Sequence, residues 1–150
     1  MSDSSQSVLK LENGLSPNRF AGKRVGFPAP VGALILTNKT LIFAAVKDGN
    51  LKSLPAIFVP LFATQKVASY LAKIDTEHIE ESMKNKGSFS IPLDSITSVS
   101  AHRFLGFGAS TLNLKYRTVE GEFDAGFGKQ VGISGFNSWV EAIEAAKKAL

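Results

Sequence analysis

Two apolar runs joined by two polar residues constrain this chain more than any other feature in it. Gly32-Ala-Leu-Ile-Leu-Thr37 and Thr40-Leu-Ile-Phe-Ala-Ala-Val46 flank Asn38-Lys39. Asn tolerates the left-handed backbone of a tight turn, so the spacing predicts a β-hairpin. The runs are nearly continuous rather than alternating, so both faces of the hairpin should be covered. The rest of the chain has to supply that cover. Its 150 residues suit one domain, and 44% hydrophobic residues suffice for a core without staples. The absence of cysteine excludes a disulfide framework, thiolate zinc sites and a cysteine nucleophile.

Upstream of the hairpin, residues 1–7 are polar and read as a disordered arm, with no apolar stretch of the kind a signal peptide carries. The single domain is then expected over 8–150. Val8-Leu-Lys-Leu11 reads as a short strand. From Asn13 to Pro30 the chain holds Gly14, Pro17, Gly22, Gly26, Pro28 and Pro30. That punctuation predicts a long loop with at most one broken edge strand, and Lys23 and Arg24 fall inside it.

Downstream, the character changes. Leu54-Pro-Ala-Ile-Phe-Val-Pro-Leu-Phe-Ala63 is the longest apolar run, broken by Pro55 and Pro60. It falls well short of the ~20 residues of a membrane-spanning helix. Thr64 offers an N-cap, with Val67, Tyr70, Leu71 and Ile74 at helical spacing. Asp75 or Thr76 can cap a second short helix, with Glu77, Glu80 and Glu81 near its start, Lys84 and Lys86 near its end, and Gly87 as its stop. A helical insertion is therefore expected around 54–86.

Strands return at Ser88-Phe-Ser-Ile91, at Ile96 to Phe104, at Thr111 to Arg117 and at Glu122 to Phe127. The third alternates strictly, with Leu112, Leu114 and Tyr116 on one face and Asn113, Lys115 and Arg117 on the other. Ser138-Trp-Val-Glu141 has the Ser-x-x-Glu capping-box pattern, and Trp139, Ile143, Ala146 and Leu150 form one apolar stripe. The chain thus reads as mainly β: about seven strands and one amphipathic C-terminal helix that closes their open end.

Little in the sequence supports catalysis. No Gly-x-Ser-x-Gly, P-loop or dinucleotide fingerprint is present, and the carboxylates form no acid/base pair in the sequence pattern. His78 lies on a helix expected to be solvated, and His102 reads as a hydrogen-bonded strand residue, so no metal site is expected. Neither is a cofactor or an enzymatic activity. The balance of 17 Lys+Arg against 13 Asp+Glu gives a net charge of +4, compatible with an anionic partner without requiring one. The phenylalanines are not interleaved with cations, so nucleic acid is not an expected partner.

Three segments resemble the pleckstrin-homology (PH) superfold, especially its GRAM and bacterial PH-like branches. Ala33-Leu-Ile-Leu-Thr-Asn-Lys-Thr-Leu-Ile-Phe43 is similar to the GRAM-type hairpin, with Thr40 where Arg is common. Phe89-Ser-Ile-Pro-Leu-Asp-Ser-Ile-Thr-Ser-Val99 is similar to a later strand, and Trp139-Val-Glu-Ala-Ile-Glu-Ala-Ala146 to the closing helix. The insertion departs from the minimal family pattern. The resemblance implies a bent seven-stranded barrel or sandwich capped by the helix. It also implies a non-catalytic binding module in the cytoplasm, peripheral at a membrane, for an anionic lipid headgroup or acidic ligand. Lys23 and Arg24, in the loop region that often contributes to such cups, are candidate ligand-binding residues, as are Lys115 and Arg117. The usual lipid motif is missing, because Gly32 to Thr37 carries no cation. The rival expectation is protein interaction or homo-oligomerisation through the apolar ridge of Ile57, Phe58, Val59, Leu61 and Phe62. Acidic residues beside that ridge disfavour its insertion into an anionic membrane.

Overall fold

The predicted hairpin sits within the first half of the sheet and is covered on both faces. In the computed structural model it comprises β3 (Gly32–Thr37), buried throughout, and β4 (Thr40–Ala45), buried apart from half-buried Thr40. The structure describes residues 6–20, 23–24, 31–46, 73–74, 77, 80–81, 83–103, 110–129 and 136–150. At the hairpin tip, Thr37 Oγ1 accepts from the backbone N–H of Lys39 (3.1 Å) and Thr40 (2.9 Å) and donates to the Thr40 carbonyl (3.2 Å). These bonds account for a buried threonine in an otherwise apolar strand.

The hairpin's neighbours complete an antiparallel sheet. They are β1 (Gln6–Phe20), β6 (Phe89–Pro92), β7 (Ile96–Arg103), β8 (Ser110–Thr118) and β9 (Gly121–Lys129). Their order is β6-β4-β3-β1-β9-β8-β7, so seven strands form the main path, as the sequence pattern predicts. Two two-residue strands, β2 (Lys23–Arg24) and β5 (Lys73–Ile74), pair with β1 off that path.

The stretch read as a loop from Asn13 to Pro30 is the main departure. β1 continues through Gly14 and Pro17 to Phe20, and Lys23–Arg24 is also strand. Glycine and proline punctuate bends here rather than ending the strand. Register shifts fall between Val8 and Lys10, between Glu12 and Leu15, and between Pro17 and Arg19. Such bulges bend a strand and increase its twist. β1 can therefore pair with β3 through Val8 to Leu15 and with β9 through Leu15 to Arg19. The strand also starts earlier than expected, at Gln6, because Ser7 exchanges hydrogen bonds with Asn38: its N–H donates to Oδ1 and its carbonyl accepts from the Asn38 N–H, both at 3.0 Å.

Most of the expected helical insertion, including residues 54–72, lies outside the described residues. Ile74, the last of the residues at helical spacing, is instead in a short strand with Lys73, where the two pair in register with Gln6 and Ser7 of β1. Glu77, Glu80 and Glu81 are helical, and Gly87 follows with φ 96°, in the left-handed region that glycine adopts freely. Asn85 and Ser88 tie this region to β4: Asn85 Nδ2 donates to the Ala45 carbonyl at 2.9 Å, and the Ala45 N–H donates to Ser88 Oγ at 2.8 Å.

Between the sheet halves the core is aromatic. Phe43, Phe89 and Phe127 meet with ring centroids 5.5 to 5.9 Å apart, and Phe20 stacks on Phe89 at 3.9 Å. The C-terminal helix (Asn137–Lys148) buries Trp139, Ile143 and Ala146, whereas Leu150, the expected end of the stripe, is exposed. The Ser138–Glu141 capping box does not form. The N-cap is Phe136, itself buried in the core, so Ser138 falls inside the first turn. Packing of an aromatic side chain fixes the helix start in place of a hydroxyl. Trp139 is fully buried, its indole Nε1 donates to Glu12 Oε1 at 3.0 Å, and Lys10 Nζ lies 5.3 Å from its ring centroid.

Replacing Trp139 with alanine should cost about 3–5 kcal/mol, as for large aromatic truncations in a core. Trp139→Phe should cost less, chiefly through the lost bond to Glu12, about 1–3 kcal/mol. Urea melts of the two variants test this order, and a Trp139→Ala protein as stable as wild type would show that the helix does not close the barrel. Gly32→Ala is a second test. Its Cβ would lie 2.8 Å from Ala45 Cα and closer still to the Ala44 carbonyl oxygen. Both are backbone atoms of the paired strand, so this one methyl should destabilise by about 1–3 kcal/mol, the usual cost of overpacking, or prevent folding. Thermal melts read the difference.

Candidate functional site

The β1–β2 hairpin is where the sequence-predicted cations Lys23 and Arg24 lie. Backbone register sets Arg24 opposite Arg19 and Lys23 opposite Phe20. On the other side of β1, Arg19 lies opposite Gly126 of β9. Three cations are therefore gathered within six residues of chain, 19–24, in one hairpin. The surrounding sequence offers them no local counter-charge: residues 13–47 contain five Lys or Arg and no Asp or Glu. Arg19 escapes a reading that treats this region as loop, because only the strand register brings it opposite Arg24.

The second predicted pair, Lys115 and Arg117, lies on β8 and is exposed. The two residues have different surroundings. Arg117 stands opposite Glu122 of β9, and its guanidinium lies 3.6 Å from the carboxylate, with side-chain exposures of 70% and 43%. Solvent screens a pair this exposed, which keeps its worth small. Lys115 stands between Ser98 and Asp124 in register. Among the described residues its ammonium has no ion-pair or hydrogen-bond partner.

Lys115 also lines a recess of about 250 Å³ in the outer face of the β7–β8–β9 sheet. Its polar walls are Ser98, Ser100 and His102 of β7, Asn113 and Lys115 of β8, and Asp124 of β9. Arg117 is not part of it. Alternation along β7 explains the grouping: residues two apart share a face, while Val99 and Ala101 pack inward against the core. That grouping is legible in the Ile96 to Phe104 pattern, although only the cross-strand register brings Lys115 and Asp124 to it. His102 lies in β7, as the sequence pattern predicts, and is exposed, and its ring has no hydrogen-bond partner among the described residues.

His78 and the apolar ridge of Ile57, Phe58, Val59, Leu61 and Phe62 lie outside the described residues. Among those described, no helix is long and apolar enough to cross a membrane. No cluster of three His, Cys, Asp or Glu stands ready for a metal there either.

No family model matches the chain, and no curated protein matches it. Eight solved chains do match it in structure. One of them is the Vps36 N-terminal PH domain, with a TM-score of 0.55 at 12% sequence identity, over 96% of this chain and 80% of that one. At that identity the likeness is one of fold. The chain has a PH-like fold.

Proposed function

We propose that this chain is a non-catalytic PH-like binding module, of the GRAM-like kind, that recognises an anionic ligand through its β1–β2 hairpin, with a lipid headgroup at a membrane surface as the first choice. The observation that carries the reading is the register of Arg19 opposite Arg24, with Lys23 in the same hairpin. Like charges directly opposed across a strand pair are destabilising, and a bound anion converts that cost into charge-assisted hydrogen bonds. The run of 35 residues, 13–47, without a carboxylate supports the same reading. Arg117 contributes less, because Glu122 already offsets its charge. A cytoplasmic protein, peripheral at the membrane, follows as part of the proposal. The rival reading, self-association through Ile57 to Phe62, has no described residue in its favour.

Sedimentation with vesicles tests this. Wild type should pellet with phosphatidylserine-containing vesicles at low salt and not with pure phosphatidylcholine, and added salt should release it. Each surface cation near an anionic bilayer contributes about 1 kcal/mol, so Lys23→Ser with Arg24→Ser should weaken binding roughly thirtyfold. Indifference of the wild type to anionic vesicles, together with a dimeric mass by light scattering, would favour the rival. Arg117→Ala serves as the control and should change both vesicle binding and stability little, by under about 1 kcal/mol.

A further inference from the structure

The two ends of the sheet are protected unequally. β6 forms one end with only four residues and finishes on Pro92, two features that blunt an edge. β7 forms the other end, and among the described residues no strand pairs with its outer edge. It runs for eight residues, Ile96-Thr-Ser-Val-Ser-Ala-His-Arg103. Its register irregularity lies at the start, between Ile96 and Ser98, so Ser98 to Arg103 is regular. A regular antiparallel strand bonds its neighbour through every second residue and points the N–H and C=O groups of the others away from it. Proline and charged side chains are the usual guards against strand addition at such an edge, and Thr97 to His102 has neither.

The pattern along β7 selects the partner. Val99 and Ala101 face inward and are half-buried against the core, whereas Ser98, Ser100 and His102 face outward and are exposed. About Ser100 this alternation reads the same in both directions. An antiparallel copy with Ser100 on the two-fold axis therefore sets Val99 against Ala101 and Ser98 against His102. Apolar meets apolar and polar meets polar. Arg103 falls opposite Thr97, so no like charges oppose. Val99 and Ala101 belong to one alternate set of backbone groups, and Ser98, Ser100 and His102 to the other. In this register each set meets itself, as antiparallel hydrogen bonding requires. Such a contact is isologous and closes after two copies. We infer that β7 is a homodimer interface, in which the edges of two copies pair antiparallel about Ser100 and carry one sheet through both. It uses no residue of the β1–β2 hairpin or of the Ile57 to Phe62 ridge, so it stands or falls apart from both readings.

Sedimentation velocity and amide hydrogen exchange, measured together from micromolar to millimolar protein, test this. A contact of one strand pair is small, so the mass should rise from monomer to dimer within that range. In step with it, alternate amides of Ser98 to Arg103, those not bonded to β8, should become slow to exchange. The intervening amides should be slow throughout. Ser100 is exposed, so charging it spares the core. Ser100→Lys and Ser100→Asp should each weaken self-association about two- to fivefold, because the axis sets like charges directly opposite. An equimolar mixture of the two variants should recover it, since the axis then brings opposite charges together. A mass that stays monomeric would overturn the assignment. So would slow exchange of both alternate sets in the monomer, because the chain would then fill this edge itself. A dimer indifferent to both Ser100 variants but lost in Phe58→Ser with Phe62→Ser would also overturn it and place the contact on the apolar ridge.

Discussion

The barrel depends on one strand serving two halves of a sheet. Leu15 is the joint: it stands opposite Gly32 of β3 on one side and Lys129 of β9 on the other. N-terminal to it, β1 belongs with the apolar hairpin; C-terminal to it, β1 belongs with β9 and β8. A straight strand could not do both, and the three register shifts along β1 supply the bend. The same bend presents Arg19 to β2 as well as to β9. The aromatic core then fills the space between the halves, with Phe20 at the far end of β1 stacked on Phe89 from the opposite edge of the sheet. The helix covers the remaining opening with Trp139.

The two cationic clusters differ in how their charge is balanced. At the β1–β2 hairpin, charge accumulates because the chain there contains no acid. On β8 and β9, charge is laid out in alternating signs, with Arg117 against Glu122 and Lys115 beside Asp124. The first arrangement is the one on which the proposed recognition of an anion rests. In the second, neighbouring charges of opposite sign offset one another.

The elements that were legible in the sequence are those in which local preference and tertiary packing agree. Gly32 to Val46 is an unmistakable hairpin, and Thr111 to Arg117 alternates as its burial does. Trp139 and Ile143 mark the buried face of the helix. The chain was hard to read where long-range pairing overrides local signals. Gly14 and Pro17 argue for a loop when taken alone, but a bulged strand accommodates both. The Ser138–Glu141 box is a valid capping pattern, yet burial of Phe136 sets the helix start. Ile74 has helical spacing, but the free edge of β1 at Gln6 and Ser7 claims its backbone. The paired charges on β8 could not be read for the same reason, since the partner of Arg117 depends on the register with β9.

The bond from Trp139 to Glu12 joins positions 127 residues apart, and β1 finds β9 only after more than a hundred residues have been made. The pairing of β1 with β9, which joins the two halves of the sheet, is therefore unavailable to the chain until its last strands are made. The apolar hairpin emerges early and has to wait, with much of its surface unsatisfied, for the strands and helix that cover it. Topologies dominated by distant contacts fold slowly, and their exposed intermediates invite aggregation. Between the synthesis of β4 and that of the C-terminal helix, the hairpin lacks the later strands and the helix that complete the folded core. A chain cut short before Trp139 would keep that exposed state and be a ready substrate for proteolysis.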